Sequence, residues 1–86
     1  MSVVLLYGNM YVPFTPKLFD GAKDVYKVVA VDNHFYLNLD KVLKFYQIQH
    51  QFRDNKIYIK RFKAMNNDLL WNYTEKALDR NWIKDH

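Results

Sequence analysis

Short apolar runs alternate with polar breaks along this chain, and the spacing within the runs changes near residue 38. The opening stretch "VVLLYGNMYVPF", residues 3–14, places two β-prone arms around Gly8-Asn9, a hairpin signal because both turn residues accept positive φ. Pro13 has no N–H to donate, so the second arm is expected to lie at a sheet edge or to end there. A free edge beside Met10 and Val12 would be compatible with pairing between copies and leaves the oligomeric state open. "TPKLFDGAKD", residues 15–24, reads as a loop with room for one helical turn, because Pro16 and Asp20-Gly21 interrupt the pattern. "VYKVVAV" then reads as a strand. Asp32-Asn33 would turn it into a second strand, "HFYL", since Asp and Asn tolerate the turn geometry.

From residue 37 the period lengthens. In "LNLDKVLKFYQIQH" the residues Val42, Phe45, Tyr46 and Gln49 recur at helical spacing, with Asn38 or Asp40 as candidate caps. "FRDN" punctuates, and "KIYIKRF", residues 56–62, returns to strict alternation. "NNDLLWNYTEKALDRNWIK", residues 66–84, predicts a closing helix capped by Asn66 or Asn67, with Asp68 in its first turn. The expected architecture is α+β: one small domain over residues 1–86, a mainly antiparallel sheet and two helices, in the order ββ-ββ-α-β-α.

Composition narrows the picture. A chain of 86 residues buries a modest core, so its seven Tyr, six Phe and two Trp must supply much of the packing. No cysteine is present, which removes disulfides, thiolate metal sites and cysteine nucleophiles. The uncharged stretch 1–14 is too short and too broken by Gly-Asn and Pro to span a bilayer, and it lacks the basic start of a signal peptide. These features lead us to expect a cytoplasmic protein with no membrane partner. Ten Lys against three Arg, with abundant Asn, Tyr, Phe and Ile, is the bias of an AT-rich coding sequence, a compositional hint towards a small phage-type regulator.

Charge changes the picture most. The net charge is +4, but residues 33–64 hold seven basic and two acidic side chains, an excess of +5. Residues 1–32 balance three against three, and residues 65–86 hold three basic against four acidic. All the excess basicity therefore falls on the first helix, the last strand and the turn between them. Alternation along "KIYIK" sets Ile57 and Ile59 on one face and Lys56, Tyr58, Lys60 and Phe62 on the other. Cations interleaved with rings suit a polyanion, since Lys and Arg pair with phosphates while rings stack on unpaired bases. Lys41 and Lys44, three residues apart on the helix, would share a side and extend this strip. The expected nucleic-acid or polyanion site is thus Lys41, Lys44, Arg53, Lys56, Tyr58, Lys60, Arg61, Phe62 and Lys63. Lysine on an exposed strand also serves simply as solvated cover against edge pairing, the plainer account of the same residues.

A rival surface lies on the closing helix. Trp71 and Trp82 are eleven residues apart, three turns plus about 20° on an ideal helix, and Leu70, Thr74, Ala77 and Leu78 fall on the same broad side. Trp82, near the end of the chain, would anchor a protein interface together with Trp71 and Leu78. In that alternative the protein is an inhibitor or adaptor whose basic strip meets an acidic protein surface, for instance on a host enzyme.

Catalysis finds little support. His34, His50 and His86 have no metal spacing, Gly8 and Gly21 cannot build a phosphate loop, and Asp20, Asp24 and Asp32 lack calcium-loop density. A His50 pair with Asp40 or Asp54 is conceivable but has no evident orienting group. The sequence therefore predicts no catalytic residues, no metal and no cofactor, and a binding role.

Overall fold

The computed structural model describes residues 10–86. The first arm of the expected N-terminal hairpin and its Gly8-Asn9 turn lie outside the described residues. Nine elements follow in order: β1 (Tyr11–Pro13), β2 (Lys17–Asp20), β3 (Val25–Val28), α1 (Asn33–Phe45), β4 (His50–Arg53), β5 (Lys56–Lys60), α2 (Arg61–Ala64), α3 (Asn67–Leu78) and α4 (Arg80–Asp85). The fold is α+β with antiparallel sheets, the class that the hydrophobic pattern predicts.

Strand β5 lies at the centre of a three-stranded sheet ordered β1-β5-β4. Tyr11 pairs with Lys60 and Pro13 with Tyr58 on one side, while Gln51 pairs with Tyr58 and Arg53 with Lys56 on the other. Bonds from Arg61 N to Met10 O (2.7 Å) and from Phe14 N to Ile57 O (2.8 Å) extend the first ladder at both ends. Among the described residues β1 is an edge strand and ends at Pro13, where an imino acid leaves no ladder bond unmade. Asp54 and Asn55 close the β4–β5 hairpin in two residues, both at positive φ (54° and 61°), the demand of a tight mirror-image turn.

Ile57 and Ile59 are fully buried beneath α1 and form one core with Phe14, Phe35, Leu39, Val42, Leu43, Leu70 and Ala77. Burying each isoleucine contributes about 1.5–3 kcal/mol, enough to fix which way the pleat of β5 faces. Helix α3 packs on α1 through Leu70, Thr74 and Ala77.

Four local expectations change. "HFYL" is the first turn of α1, not a strand. Asp32 accepts a hydrogen bond from Phe35 N (3.1 Å) as N-cap, and Phe35, Leu39, Val42 and Leu43 form the buried stripe, so helical burial outweighs strand propensity. Asn38 and Asp40 are therefore interior helix residues, and Phe45 and Tyr46 lie off the core. "KLFD" within the expected loop is strand β2, paired with β3 through a turn in which Asp20 Oδ1 accepts from Ala22 N (3.0 Å). His50 opens β4 rather than closing a helix, because α1 stops at Tyr46 with Gln47 in the left-handed region. Bonds from Ile48 N to Leu43 O (2.9 Å) and from Gln47 N to Lys44 O (3.1 Å) complete a Schellman ending.

The closing helix is likewise two helices. Asp79 has extended backbone, and its Oδ1 accepts from Asn81 N (2.9 Å) and Trp82 N (3.3 Å), which starts α4 afresh. Leu78, at the last position of α3, is 48% exposed rather than part of the buried stripe.

The candidate nucleic-acid interface

The outward face of the three-stranded sheet gathers part of the basic strip expected from the sequence. Since Ile57 and Ile59 point inward, Lys56, Tyr58 and Lys60 point outward, and the register sets Arg53 beside Lys56 and Gln51 beside Tyr58. On the other flank Tyr11 lies beside Lys60 and Pro13 beside Tyr58. Arg53 reaches along this face until its guanidinium carbon sits 4.3 Å from the centroid of the Tyr58 ring, a cation–π contact. Pro13, Gln51, Arg53 and Lys56 are exposed, and Tyr58 and Lys60 are half-buried. Three cations and two tyrosines thus share one small face, and no acidic residue is paired into it by the strand register.

The rest of the expected strip does not join them. Arg61, Phe62 and Lys63 belong to helix α2, which begins as soon as β5 ends, so Phe62 leaves the strand alternation; it is 53% exposed at the sheet's end. Lys41 and Lys44 lie roughly 145° and 155° around α1 from the centre of its buried stripe, and that stripe packs on the sheet. They face away from the buried stripe, on the helical side of the sheet rather than on its outward face. Lys44 pairs there with Asp40 (3.0 Å), and Lys41 Nζ donates to Ile83 O (2.5 Å). The basic excess of residues 33–64 is contiguous in sequence and divided in space.

The two tryptophans separate as well. Trp71 packs with Phe19 and Tyr26, ring centroids 5.4 and 6.2 Å away, and helps dock the β2–β3 hairpin on α3. Thr74 Oγ1 accepts from Lys17 N (3.2 Å), and the Tyr26 hydroxyl donates to Asp68, whose carboxylate raises the Tyr26 pKa. Trp82 meets Phe45 edge-on at 5.4 Å and stacks with His86 at 4.3 Å, beside Tyr46. Phe45 and Tyr46 remain exposed, so an aromatic patch lies on the helical side, near Lys41. The break at Asp79 accounts for the split: an interrupted helix does not carry the phase of Trp71 through to Trp82.

His50 does have orienting groups. Its Nδ1 lies 2.7 Å from Ile48 O and its Nε2 2.7 Å from Asp40 Oδ1, with the side chain only 9% exposed. Both ring nitrogens face oxygen atoms of the fold itself, so neither is left to serve a substrate. Partial burial pushes the Asp40 carboxyl up, but hydrogen bonds from His50 and Lys44 more than offset this and hold it below the usual carboxylate range. The group is a clamp between α1 and β4. Among the described residues no cluster of three or more His, Asp or Glu is placed to hold a metal ion, and no helix is long and apolar enough to cross a membrane.

Sequence reasoning missed Tyr11, Pro13 and Gln51 as members of the sheet face. A two-residue Asp54-Asn55 turn, once recognised, would have placed Gln51 beside Tyr58. Tyr11 reaches Lys60 across a pairing 49 residues long in sequence, which carries no local signal. Compared with known protein families, curated proteins and solved structures, the chain matches none.

Proposed function

We propose that this protein binds nucleic acid through the outward face of its three-stranded sheet, as a small cytoplasmic regulator without catalytic chemistry of its own. Arg53, Lys56 and Lys60 contact phosphates there, and the rest of the sheet fixes their spacing. The observation that carries this reading is the burial of Ile57 and Ile59 on the central strand, which obliges the cations and Tyr58 to share the other face. Alternate residues of a strand lie about 6.6 Å apart, so Lys56 and Lys60 flank Tyr58 at a regular interval along one line. The three cations of this face all lie on strands, so the reading implies backbone contact rather than base-specific readout.

The test is fluorescence anisotropy of labelled oligonucleotides against the purified protein at several salt concentrations. Binding that weakens steeply with salt, and is lost when Lys56 and Lys60 are both replaced by glutamate, supports the reading. Affinity weaker than about 10⁻⁴ M at low salt, below ordinary non-specific association, overturns it.

A second reading rests on a separate observation, the exposed Phe45 and Tyr46 around Trp82 near Lys41 and Lys44. This side would take an acidic protein surface, with the protein acting as an inhibitor or adaptor. Trp71 and Leu78 would not share that anchor with Trp82. An interface anchored on rings would depend on salt far less than phosphate contacts do.

A further inference from the structure

We infer that the ligand of this face is single-stranded, and that one unpaired base stacks on the Arg53 guanidinium where it lies over Tyr58. The inference rests on the nucleic-acid reading above and names the form of ligand that the face takes.

Three observations carry it. Tyr58 stands at the middle of the central strand, flanked two residues away on each side by Lys56 and Lys60. Its ring is half-buried and lies beneath the Arg53 guanidinium carbon at 4.3 Å, so the ring acts as a seat for the guanidinium. Arg53 itself is exposed, opposite Lys56 in the hairpin, so its side chain can be reached from solvent.

Guanidinium planes stack on bases as they do on tyrosine rings, and they need a face of the base that a duplex keeps inside its stack. A double helix would meet this face only through its phosphates and leave the platform idle. A single strand satisfies both elements together, with phosphates on Lys56, Lys60 and the N–H edge of Arg53, and a base on the face of the Arg53 guanidinium. Phe62 has no part in this platform, because it sits on α2 beyond the end of the strand. Base identity is not selected, since every base offers a π-face, so the expected preference is for unpaired strands of any sequence.

The experiment compares three labelled probes of equal length, about 16 nucleotides, the upper end of what one small single-strand module covers. They are a homothymidine strand, an abasic strand with the same phosphates, and a duplex. The wild-type protein is expected to bind the thymidine strand about tenfold more tightly than the abasic strand, the effect of one stacked base. Arg53→Lys, which keeps the charge and removes the plane, is expected to erase that ratio. Tyr58→Leu should weaken the ratio in the same direction, and Tyr58→Phe, which keeps the seat, should preserve it; the Phe variant and the wild-type comparison stand even if the Leu variant folds poorly. Equal binding of thymidine, abasic and duplex probes, or a ratio that survives Arg53→Lys, overturns the single-strand inference and leaves the polyanion reading intact. Absence of binding to all three probes at low salt overturns that underlying reading as well.

Discussion

Replacing Lys56 by glutamine removes one of three cations on the sheet face without touching the core, because its side chain is exposed at the mouth of the β4–β5 turn. The face holds Arg53, Lys56 and Lys60, so at most three phosphates are engaged there. Each phosphate neutralised on a single strand contributes about −0.7 to the slope of log affinity against log salt, so three contacts give a slope of about −2. Raising salt fourfold, from about 50 to 200 mM, should then weaken wild-type binding about twentyfold. With two contacts the slope falls to about −1.4 and the same change in salt costs about sevenfold. Lys44→Gln is the matched control. It removes the same charge from the far side of α1, where Lys44 pairs with Asp40 and is 71% exposed, and it should leave the slope unchanged. Anisotropy titrations at four or more salt concentrations measure all three slopes, with circular dichroism confirming that each variant is folded. A slope that Lys56→Gln leaves intact, or that Lys44→Gln lowers equally, refutes the assignment of the site to the sheet. A wild-type slope of −4 or steeper refutes it too, because the face has too few cations to produce it.

Three further outcomes probe the scaffold. Gln47 sits at φ 57° in the Schellman ending of α1, where glycine avoids the Cβ clash, so Gln47→Gly should stabilise the fold by about 0.5–1 kcal/mol; an unchanged or lowered melting temperature would contradict this. Asp40→Asn weakens the acceptor of His50 and should cost about 1 kcal/mol at neutral pH. Because the folded pKa of Asp40 lies below the unfolded value, its contribution is present above about pH 4 and is lost as pH falls through the lowered value. Denaturant melts of wild type and variant should therefore converge on acidification from about pH 5, and a gap that widens would argue against the clamp. Thr74→Val leaves Lys17 N–H without its buried acceptor and should cost about 1 kcal/mol, with faster amide exchange at Lys17; a neutral effect would show that the hairpin docks through its aromatic rings alone.

What could be read along the chain was what depends on near neighbours. Alternation in "KIYIK" identified both faces of β5 because a pleat has period two whatever surrounds it. The pair Asn66-Asn67 announced the start of α3 because a cap acts on the N–H three residues on, and Asn66 takes that role by accepting from Leu69 N at 3.1 Å. The α+β class followed from the change of period.

The rest depended on partners remote in sequence. The dipeptide Asp-Asn occurs twice. At 32–33 it starts a helix, because Phe35, Leu39, Val42 and Leu43 find a sheet to pack against; at 54–55 it closes a hairpin, because the strands on either side pair. Turn chemistry permits both outcomes, and long-range burial selects between them. Charge behaved in the same way. The basic excess of residues 33–64 was plain in the sequence, but α1 must turn its apolar stripe towards β5, which sends Lys41 and Lys44 to one side of the domain and leaves Arg53, Lys56 and Lys60 on the other. The residue types available to a binding site were settled by sequence alone, and which of them share a surface was decided only when the sheet and helix buried their apolar faces against each other.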